Sequence, residues 1–340
     1  MSGALVSWWL WCSDAMEPIH IIAIATSFIL AMNIGASNSA AEMAAAYGAG
    51  ARTKKEAVTL IAIFAFLGAI ISGGSVIKTL GSGLVPGDTF SGTFATVFIV
   101  LFVATLFILF ANYSRSPIAT THAIVCAVVG IGLYTGKLNI HKFISISIWW
   151  FLTPLFSFIF NYLFGKYLYF RILHYLTTLN SEERIKKVLS VIITISGCYV
   201  AFSAGSNNAA NAVGAIVGAG VIPSLEGSIL AGLGMGLGAI LFGGRILDTV
   251  GKGITEIGIV RAISIETTGA TIIYIASLLG IPVSLNETIT SGIIATSCAR
   301  KGFRKTAGNE HVLRILFFWF AVPFIAIALS YGLIALWMNL

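Results

Sequence analysis

The chain is poor in charged residues. Only 10% of its 340 residues are Asp, Glu, Lys or Arg, whereas 57% are hydrophobic. A soluble core of this size cannot bury so much apolar surface, so the composition excludes an ordinary soluble protein. Apolar runs such as 90–111 and 143–163 last about 20 residues and lack the alternation of barrel strands, and they therefore predict membrane-spanning helices.

Cysteine and catalytic motifs are also scarce. The four cysteines, Cys12, Cys126, Cys198 and Cys298, are scattered singly, which argues against a disulfide framework or a metal site. The sequence lacks HExxH, GxSxG and a paired catalytic aspartate, so we expect neither enzyme activity nor a cofactor. Residues 1–17 contain no Lys or Arg, and this segment therefore lacks the charged start of a cleaved signal peptide.

What the chain does contain is an internal repeat. Residues 35–41 correspond to residues 205–211, and the glycine pair at 73–74 corresponds to the pair at 243–244, always at an offset of 170 positions. Each copy of the first block places Gly, Ser and Asn inside an apolar run, a pattern typical of transporter helices that are broken within the membrane. We therefore predict two related halves, each containing a broken helix.

The apolar pattern predicts an all-α membrane protein with five membrane-entering segments in each half. These segments cover residues 19–50, 56–77, 90–112, 117–136, 143–165, 188–220, 225–247, 260–281, 282–299 and 306–338. The fourth and ninth segments begin at a proline and contain polar clusters, which favours broken or hairpin-like segments at the midplane rather than smooth helices. The predicted domains are a flank at 1–18, a first repeat at 19–165, a cytoplasmic linker at 166–187 and a second repeat at 188–340.

Basic residues predict the topology. If each segment is one crossing, all but Lys78, Lys137 and Lys142 of the 20 lysines and arginines lie on one side, and the positive-inside rule makes this side cytoplasmic. The basic loop at 52–55 corresponds to residues 221–227, which contain no Lys or Arg. Equivalent loops therefore lie on opposite sides, which predicts inverted repeats. Both termini are then extracytoplasmic, and we expect the protein in the inner or plasma membrane.

Two polar motifs accompany the repeated blocks. Pro-Ile-Ala-Thr-Thr-His occupies 117–122, and Pro-Val-Ser-Leu-Asn-Glu occupies 282–287. Together with the paired Gly-x-x-Asn blocks, they make the chain similar to the inorganic phosphate transporter (PiT) family, and in particular to its sulfate permease (CysP-type) branch. In the phosphate carriers of that family each block contains an aspartate that helps to bind cation and substrate. The resemblance places Asn38 and Asn208 at these two positions.

The exchange of Asp for Asn suits sulfate. Phosphate near neutral pH retains acidic hydrogens that a carboxylate can accept, whereas sulfate is fully deprotonated and offers acceptors only. A carboxylate beside a bare dianion adds repulsion and an unpaired acceptor. We therefore predict a donor-only anion site, completed by backbone N–H groups at helix N-termini. The predicted side chains are Ser37, Asn38, Ser39, Thr120, Thr121, Asn207, Asn208, Asn211, Ser284 and Asn286.

Ionisable groups within the apolar segments predict the coupling mechanism, because such groups are costly in a membrane. His122 and Glu287 occupy equivalent places in the two hairpin motifs, and Glu42 and Glu266 lie in other apolar segments. All four are candidate proton carriers, although Glu42 and Glu266 could instead lie at a membrane boundary. Arg245 and Arg115 lie near segment ends, where they could attract the anion or serve only in topology.

We therefore expect a secondary transporter that imports sulfate by alternating access. Protons are the expected coupling ion and sodium is the alternative. Rival functions are a symporter for phosphate or another tetrahedral oxyanion and, less favoured, an anion channel. The expected partners are the sulfate ion and the lipid bilayer; a homodimer is left open, and no nucleic acid is expected because the basic residues are explained by topology.

Overall fold

The structure, a computed structural model, describes residues 17–114, 119–178, 181–248 and 258–339, which are almost entirely helical. The main helices are α1 (Pro18–Gly48), α2 (Lys54–Ser72), α3 (Phe94–Ser114), α4 (Thr120–Thr135), α5 (Ile140–Leu163), α6 (Tyr169–Thr178), α7 (Glu182–Gly218), α8 (Ser224–Gly238), α9 (Ile259–Leu278), α10 (Leu285–Lys301) and α11 (Glu310–Met338). Short helices lie at Gly74–Lys78, Asp88–Ser91 and Phe303–Ala307, and π-helical turns lie at Thr79–Gly83, Phe164–Leu168 and Ala239–Gly243.

The ten predicted segments coincide with helices. Within the described residues, eight helices are long and apolar enough to cross a membrane. The two hairpin segments are α4 and α10, which have 16 and 17 residues and are therefore only about 25 Å long. Each is a single continuous helix rather than the broken or hairpin-like segment that the sequence predicted. The linker at 166–187 is largely helical, because α6 continues from α5 and α7 begins at Glu182.

Helices α1 and α7 run unbroken through the asparagine blocks, so the predicted break at these blocks is wrong. The blocks contain no proline, and their serines bond within the helix: the Ser39 hydroxyl donates to the Gly35 carbonyl at 2.9 Å, and Ser206 donates to Ser203 at 2.8 Å. The backbone N–H groups at the blocks consequently stay inside the helix. With 31 and 37 residues, the two helices are about 46 and 55 Å long and exceed one straight crossing.

Glycines bring helices of the two halves into backbone contact. A Cβ atom on Gly35 would lie 2.0 Å from the carbonyl oxygen of Met235, and one on Gly205 would lie 2.0 Å from that of Ala65. The two contacts are equivalent, because Gly205 is the counterpart of Gly35 and Met235 is the counterpart of Ala65 at the offset of 170 positions. The same offset relates two further contacts at 1.9 Å, Gly68 with the Phe202 oxygen and Gly238 with the Met32 oxygen. Each half thus packs its first helix against the second helix of the other half.

The glycine-rich run at 232–238 belongs to the same crossings. Gly232 meets Phe66, Gly234 meets Ala31, and Gly236 meets Ala62, each at distances where a side chain would touch or overlap its neighbour. The run lies on α8 and allows close helix packing. It follows a helix rather than a strand, so it lacks the context of a glycine-rich loop that binds a dinucleotide or a phosphate.

The two short helices are supported in an equally reciprocal way. Helix α4 of the first half packs against α11 of the second half, and α10 of the second half packs against α5 of the first. At the α4–α11 contact, a Cβ atom on Gly130 would lie 2.0 Å from the Ser330 hydroxyl and 2.6 Å from the Ile327 carbonyl oxygen. Both hairpin helices are therefore held by a helix from the opposite half.

The close crossings make a stability prediction. We expect Gly205→Ala to destabilise the protein by about 3 kcal/mol, the upper end for overpacking, because the new methyl group overlaps backbone rather than a mobile side chain. The matched control is Gly332→Ala on α11, where a Cβ atom meets nothing within 4 Å. The measurement is the melting temperature of each purified variant in detergent. Equal melting temperatures for the two variants would contradict the crossing geometry.

Candidate functional site

The second asparagine block meets the start of α4. The Asn211 side-chain amide donates to the Thr121 hydroxyl at 3.0 Å and to the Asn208 carboxamide oxygen at 3.2 Å. All three residues are buried, with Asn208 only 4% exposed. The Asn211 oxygen has no hydrogen-bond partner among the described residues. The structure thus brings together three of the predicted substrate ligands from α7 and α4.

Asn207 joins the same block to the second hairpin. Its amide donates to the Ser277 hydroxyl at 3.0 Å and to the Ile281 carbonyl at 3.1 Å, and its oxygen accepts from the Val283 backbone N–H at 3.0 Å. The side chain is completely buried. Asn207 therefore fixes the non-helical entry to α10, and these bonds occupy both ends of its carboxamide.

The first asparagine block lies on α1, which packs against α7 and α10. Asn38 is 4% exposed, like its counterpart Asn208, and its amide nitrogen has no hydrogen-bond partner within the described part of the chain. The neighbouring serines differ, because Ser37 and Ser39 donate to the helix carbonyls of Ile34 and Gly35 at 3.0 and 2.9 Å. Of the three predicted donors in this block, Asn38 alone has its protons available.

The two hairpin helices present their N-termini near these side chains. Helix α4 begins at Thr120, and its N-cap residue is Ala119. The alanine side chain cannot accept a hydrogen bond, so the first N–H groups of α4 remain available to a ligand. At α10 the Ser284 hydroxyl accepts from the Glu287 N–H at 3.3 Å. Asn286 is only partly buried. The helix ends that can offer N–H groups and dipole to an anion are therefore at the hairpins, not at the asparagine blocks.

His122 and Glu287, predicted as equivalent proton carriers, are in direct contact. His122 Nε2 lies 3.2 Å from Glu287 Oε2, and their side chains are only 4% and 2% exposed. The other carboxylate oxygen of Glu287 and both ring nitrogens of His122 have no hydrogen-bond partners in the described residues. The contact brings an ionisable group from the first turn of α4 beside one from the first turn of α10.

The other two candidate acids are buried inside the protein. Glu42 on α1 is 0% exposed, and neither of its carboxylate oxygens has a partner among the residues described. Glu266 on α9 is 4% exposed and accepts a short hydrogen bond from the Ser196 hydroxyl of α7. Helix α7 also meets α1 beside Ser196, because a Cβ atom on Gly197 would lie 2.7 Å from the Glu42 carbonyl oxygen. The two acids thus lie along adjacent contacts of α7.

Charged residues at the helix ends form two surface ion pairs. At one end of α2, Lys54 binds Asp248, which also accepts from the Tyr47 hydroxyl at 2.8 Å. In the second pair, Nζ of Lys137, just after α4, lies 2.8 Å from Oδ2 of Asp88, at the start of the short helix Asp88–Ser91. This hydrogen bond lowers the pKa of the Asp88 carboxyl group. All four ion-pair partners are well exposed, so neither pair contributes much stability.

Of the two candidate arginines, Arg245 alone lies within the described residues. Arg245 is exposed and lies just beyond the π-helical turn that ends α8, whereas Arg115 lies outside the described residues.

Two residues of the site were not predicted from the sequence. Ser277 is a partner of Asn207, and Trp150 on α5 stacks on His122 with 3.9 Å between ring centroids. The position of Trp150 in the sequence could have identified it. Tryptophan usually lies at the membrane interface, whereas Trp150 lies near the middle of a 24-residue helix, where its indole N–H requires an acceptor.

Comparison with known proteins agrees with this architecture. Residues 34–330 match the phosphate transporter family. The chain is 38% identical over 323 residues to the sulfate permease CysP of Bacillus subtilis, covering 94% of this chain and 89% of that protein. It also shares its fold with the solved sodium-dependent phosphate transporter, with a TM-score of 0.78 and 24% identity over 95% of this chain and 99% of that chain. The expectation of a transporter rather than an enzyme is confirmed, and the chain belongs to the phosphate transporter family as a multi-pass membrane permease.

Proposed function

We propose that the protein imports sulfate, coupled to protons, by alternating access of a midplane site. The observation that carries the proposal is the pair of buried carboxamides, Asn38 and Asn208, at equivalent positions of the two halves. The Asn38 amide lacks a partner among the described residues and is therefore a buried donor that an anion would satisfy. The similarity to a sulfate permease supports the same substrate.

The proposed anion site lies between α1, α7 and the starts of α4 and α10. Asn38, Asn208, Asn211 and Thr121 offer polar groups, and the first-turn N–H groups of α4, beginning at Thr120, add donors and a positive helix end. Ser284 and Asn286 lie at the corresponding start of α10. Asn207 contributes by holding the entry to α10 in place, and Ser37 and Ser39 contribute by packing α1.

Inverted halves would allow this site to open alternately to the two sides. The direction of α8 supports the inversion: Gly234 lies beside Ala31 of α1, and Gly243, just after α8, lies beside Ser39. Helices α1 and α8 therefore run in the same direction, whereas α2 follows α1 through a short turn and runs back. Helix α8 is the counterpart of α2, so the counterparts run in opposite directions. With the basic loops in the cytoplasm, both termini are extracytoplasmic.

Import of a dianion into a negative interior requires co-transported cations, because each charge costs about 2.3 kcal/mol per 100 mV. The His122–Glu287 pair is the proposed proton carrier, since a proton added to this buried pair would offset one charge of a nearby anion. Glu42 and Glu266 are secondary candidates. Exposed Arg245, and Arg115 outside the described residues, would act at most by attracting anions toward the site.

The test is labelled sulfate uptake into proteoliposomes with inward gradients of protons or sodium imposed separately. We expect saturable uptake that the proton gradient accelerates, and weak competition by phosphate compared with thiosulfate, selenate, molybdate or chromate. Equal competition by phosphate would favour a general oxyanion symporter. Uptake that does not saturate and shows no counterflow would indicate an anion channel. Acceleration by the sodium gradient alone would indicate that sodium, not the proton, is the coupling ion.

A further inference from the structure

Trp150 contacts both hairpins at once. Its ring stacks on His122 of the first hairpin, with centroids 3.9 Å apart and an interplanar angle of 26°. Its indole N–H donates to the Pro282 carbonyl, at the entry to the second hairpin, at 3.0 Å. The residue is 8% exposed. One side chain of α5 therefore holds the imidazole ring and the backbone that leads into α10.

These contacts close a ring around the ionisable pair. Trp150 touches His122, His122 lies 3.2 Å from Glu287, and Glu287 follows Pro282 by five residues on the same hairpin. A change in the position of Pro282 relative to α5 must therefore move the acid relative to the imidazole. The rigid indole is the element that sets this distance.

Among the described residues, His122 lies in contact with the acid Glu287 of α10. Helix α5 contributes the indole, and α7 contributes the neutral amides of Asn208 and Asn211 next to Thr121. An aromatic face attracts a cation, and the attraction is strongest for tryptophan and for desolvated partners. When the pair takes up a proton, the stacked indole therefore stabilises the positive charge on the imidazole ring.

We propose that Trp150 is a positioning residue for proton coupling, which stacks on the His122 imidazole ring, holds it beside Glu287 and links both to the second hairpin through Pro282. The proposal rests on the proposed role of His122 and Glu287 as proton carriers. The counterpart of Trp150 in the second half is Trp319, when the two helices are aligned on Pro154 and Pro323, and the indole N–H of Trp319 has no hydrogen-bond partner among the described residues. Proton coupling is therefore built asymmetrically on a nearly symmetric fold.

Transport measurements test this role of Trp150 through the pH profile. Trp150→Leu removes the ring and the donor, and we expect the midpoint of the pH profile of sulfate uptake to move to more acidic pH by about one unit. Trp150→Phe keeps a ring of weaker attraction, so we expect a smaller shift of the midpoint, together with a several-fold lower rate because the Pro282 carbonyl loses its donor. Trp149→Phe is the matched control, since Trp149 packs against the apolar core. A wild-type profile in Trp150→Leu would overturn the proposal.

A second measurement needs no substrate and therefore separates this proposal from the assignment of sulfate. The difference in fluorescence emission between the wild type and Trp150→Phe isolates the Trp150 signal, which a stacked imidazolium quenches. We expect the signal to fall on acidification, to stay constant in His122→Gln, and to fall only at more acidic pH in Glu287→Gln, where the imidazolium has lost its partner. A Trp150 signal that does not depend on pH, or that still falls in His122→Gln, would overturn the proposal even if sulfate uptake is confirmed.

Discussion

Asn208→Asp is expected to reduce the initial rate of sulfate uptake at least 100-fold. The aspartate can still accept the hydrogen bond from Asn211, which is 3.2 Å away, so the local packing is preserved. It replaces the NH2 group by a second negative oxygen at a position that is only 4% exposed. A dianion then meets a carboxylate instead of a donor, and discrimination of this kind reaches 10⁴-fold or more when buried polar groups lose their partners.

The same change at Asn38 is expected to act in the same direction, because this side chain is equally buried and its amide has no other partner among the described residues. The matched control is Asn139→Asp, since Asn139 caps α5 by accepting from the Lys142 N–H and aspartate caps a helix equally well. Initial rates of labelled sulfate uptake would be compared at equal amounts of folded transporter. Near wild-type rates in both site variants would mean that the asparagine blocks serve packing.

Glu287→Gln is expected to abolish acceleration of uptake by an inward proton gradient. Glutamine preserves the shape of the side chain but cannot gain or lose a proton, and the 3.2 Å contact with His122 then lacks its acid. The ratio of uptake with the gradient to uptake without it should fall to about one. His122→Gln should have the same effect, because the proposed proton carrier is the pair and needs both partners.

The control for this prediction is Glu310→Gln, which makes the same chemical change at an exposed glutamate in the first turn of α11. Uptake would be measured at several external pH values with and without an imposed gradient. In the wild type, uptake should rise as the external pH falls, since proton entry assists the anion; this dependence should be flat in both site variants. A steep pH dependence of uptake in both variants would contradict the role of the pair and would indicate that Glu42 or Glu266 carries the proton.

The sequence predicts the helices well because lipid imposes strong rules on them. The ten apolar segments and the repeat at an offset of 170 positions follow from hydropathy, backbone hydrogen bonding and residue spacing. The burial of Asn38 and Asn208 also follows, because amides in the middle of an apolar run of a transporter face protein rather than lipid.

The continuity of α1 and α7 could not be predicted in the same way. Gly, Ser and Asn are compatible with a broken helix and with a continuous one, and the outcome depends on whether serines bond to helix carbonyls, as Ser39 and Ser206 do. The contact of His122 with Glu287 was also beyond reach. The two residues are 165 positions apart, and equivalent positions in two repeats touch only when they lie close to the axis that relates the halves.

The reciprocal glycine crossings have a consequence for how the chain is made. The surfaces around Gly35 and Gly68 are shaped to receive α8 and α7, which leave the ribosome only after all of the first half has been synthesised. Until then, the small-residue faces of the amino-terminal helices lack their packing partners in the membrane. Neither repeat can therefore reach its final packing as an independent unit. Assembly of the transporter is consequently expected to be a late, concerted event that begins once α7 and α8 have inserted.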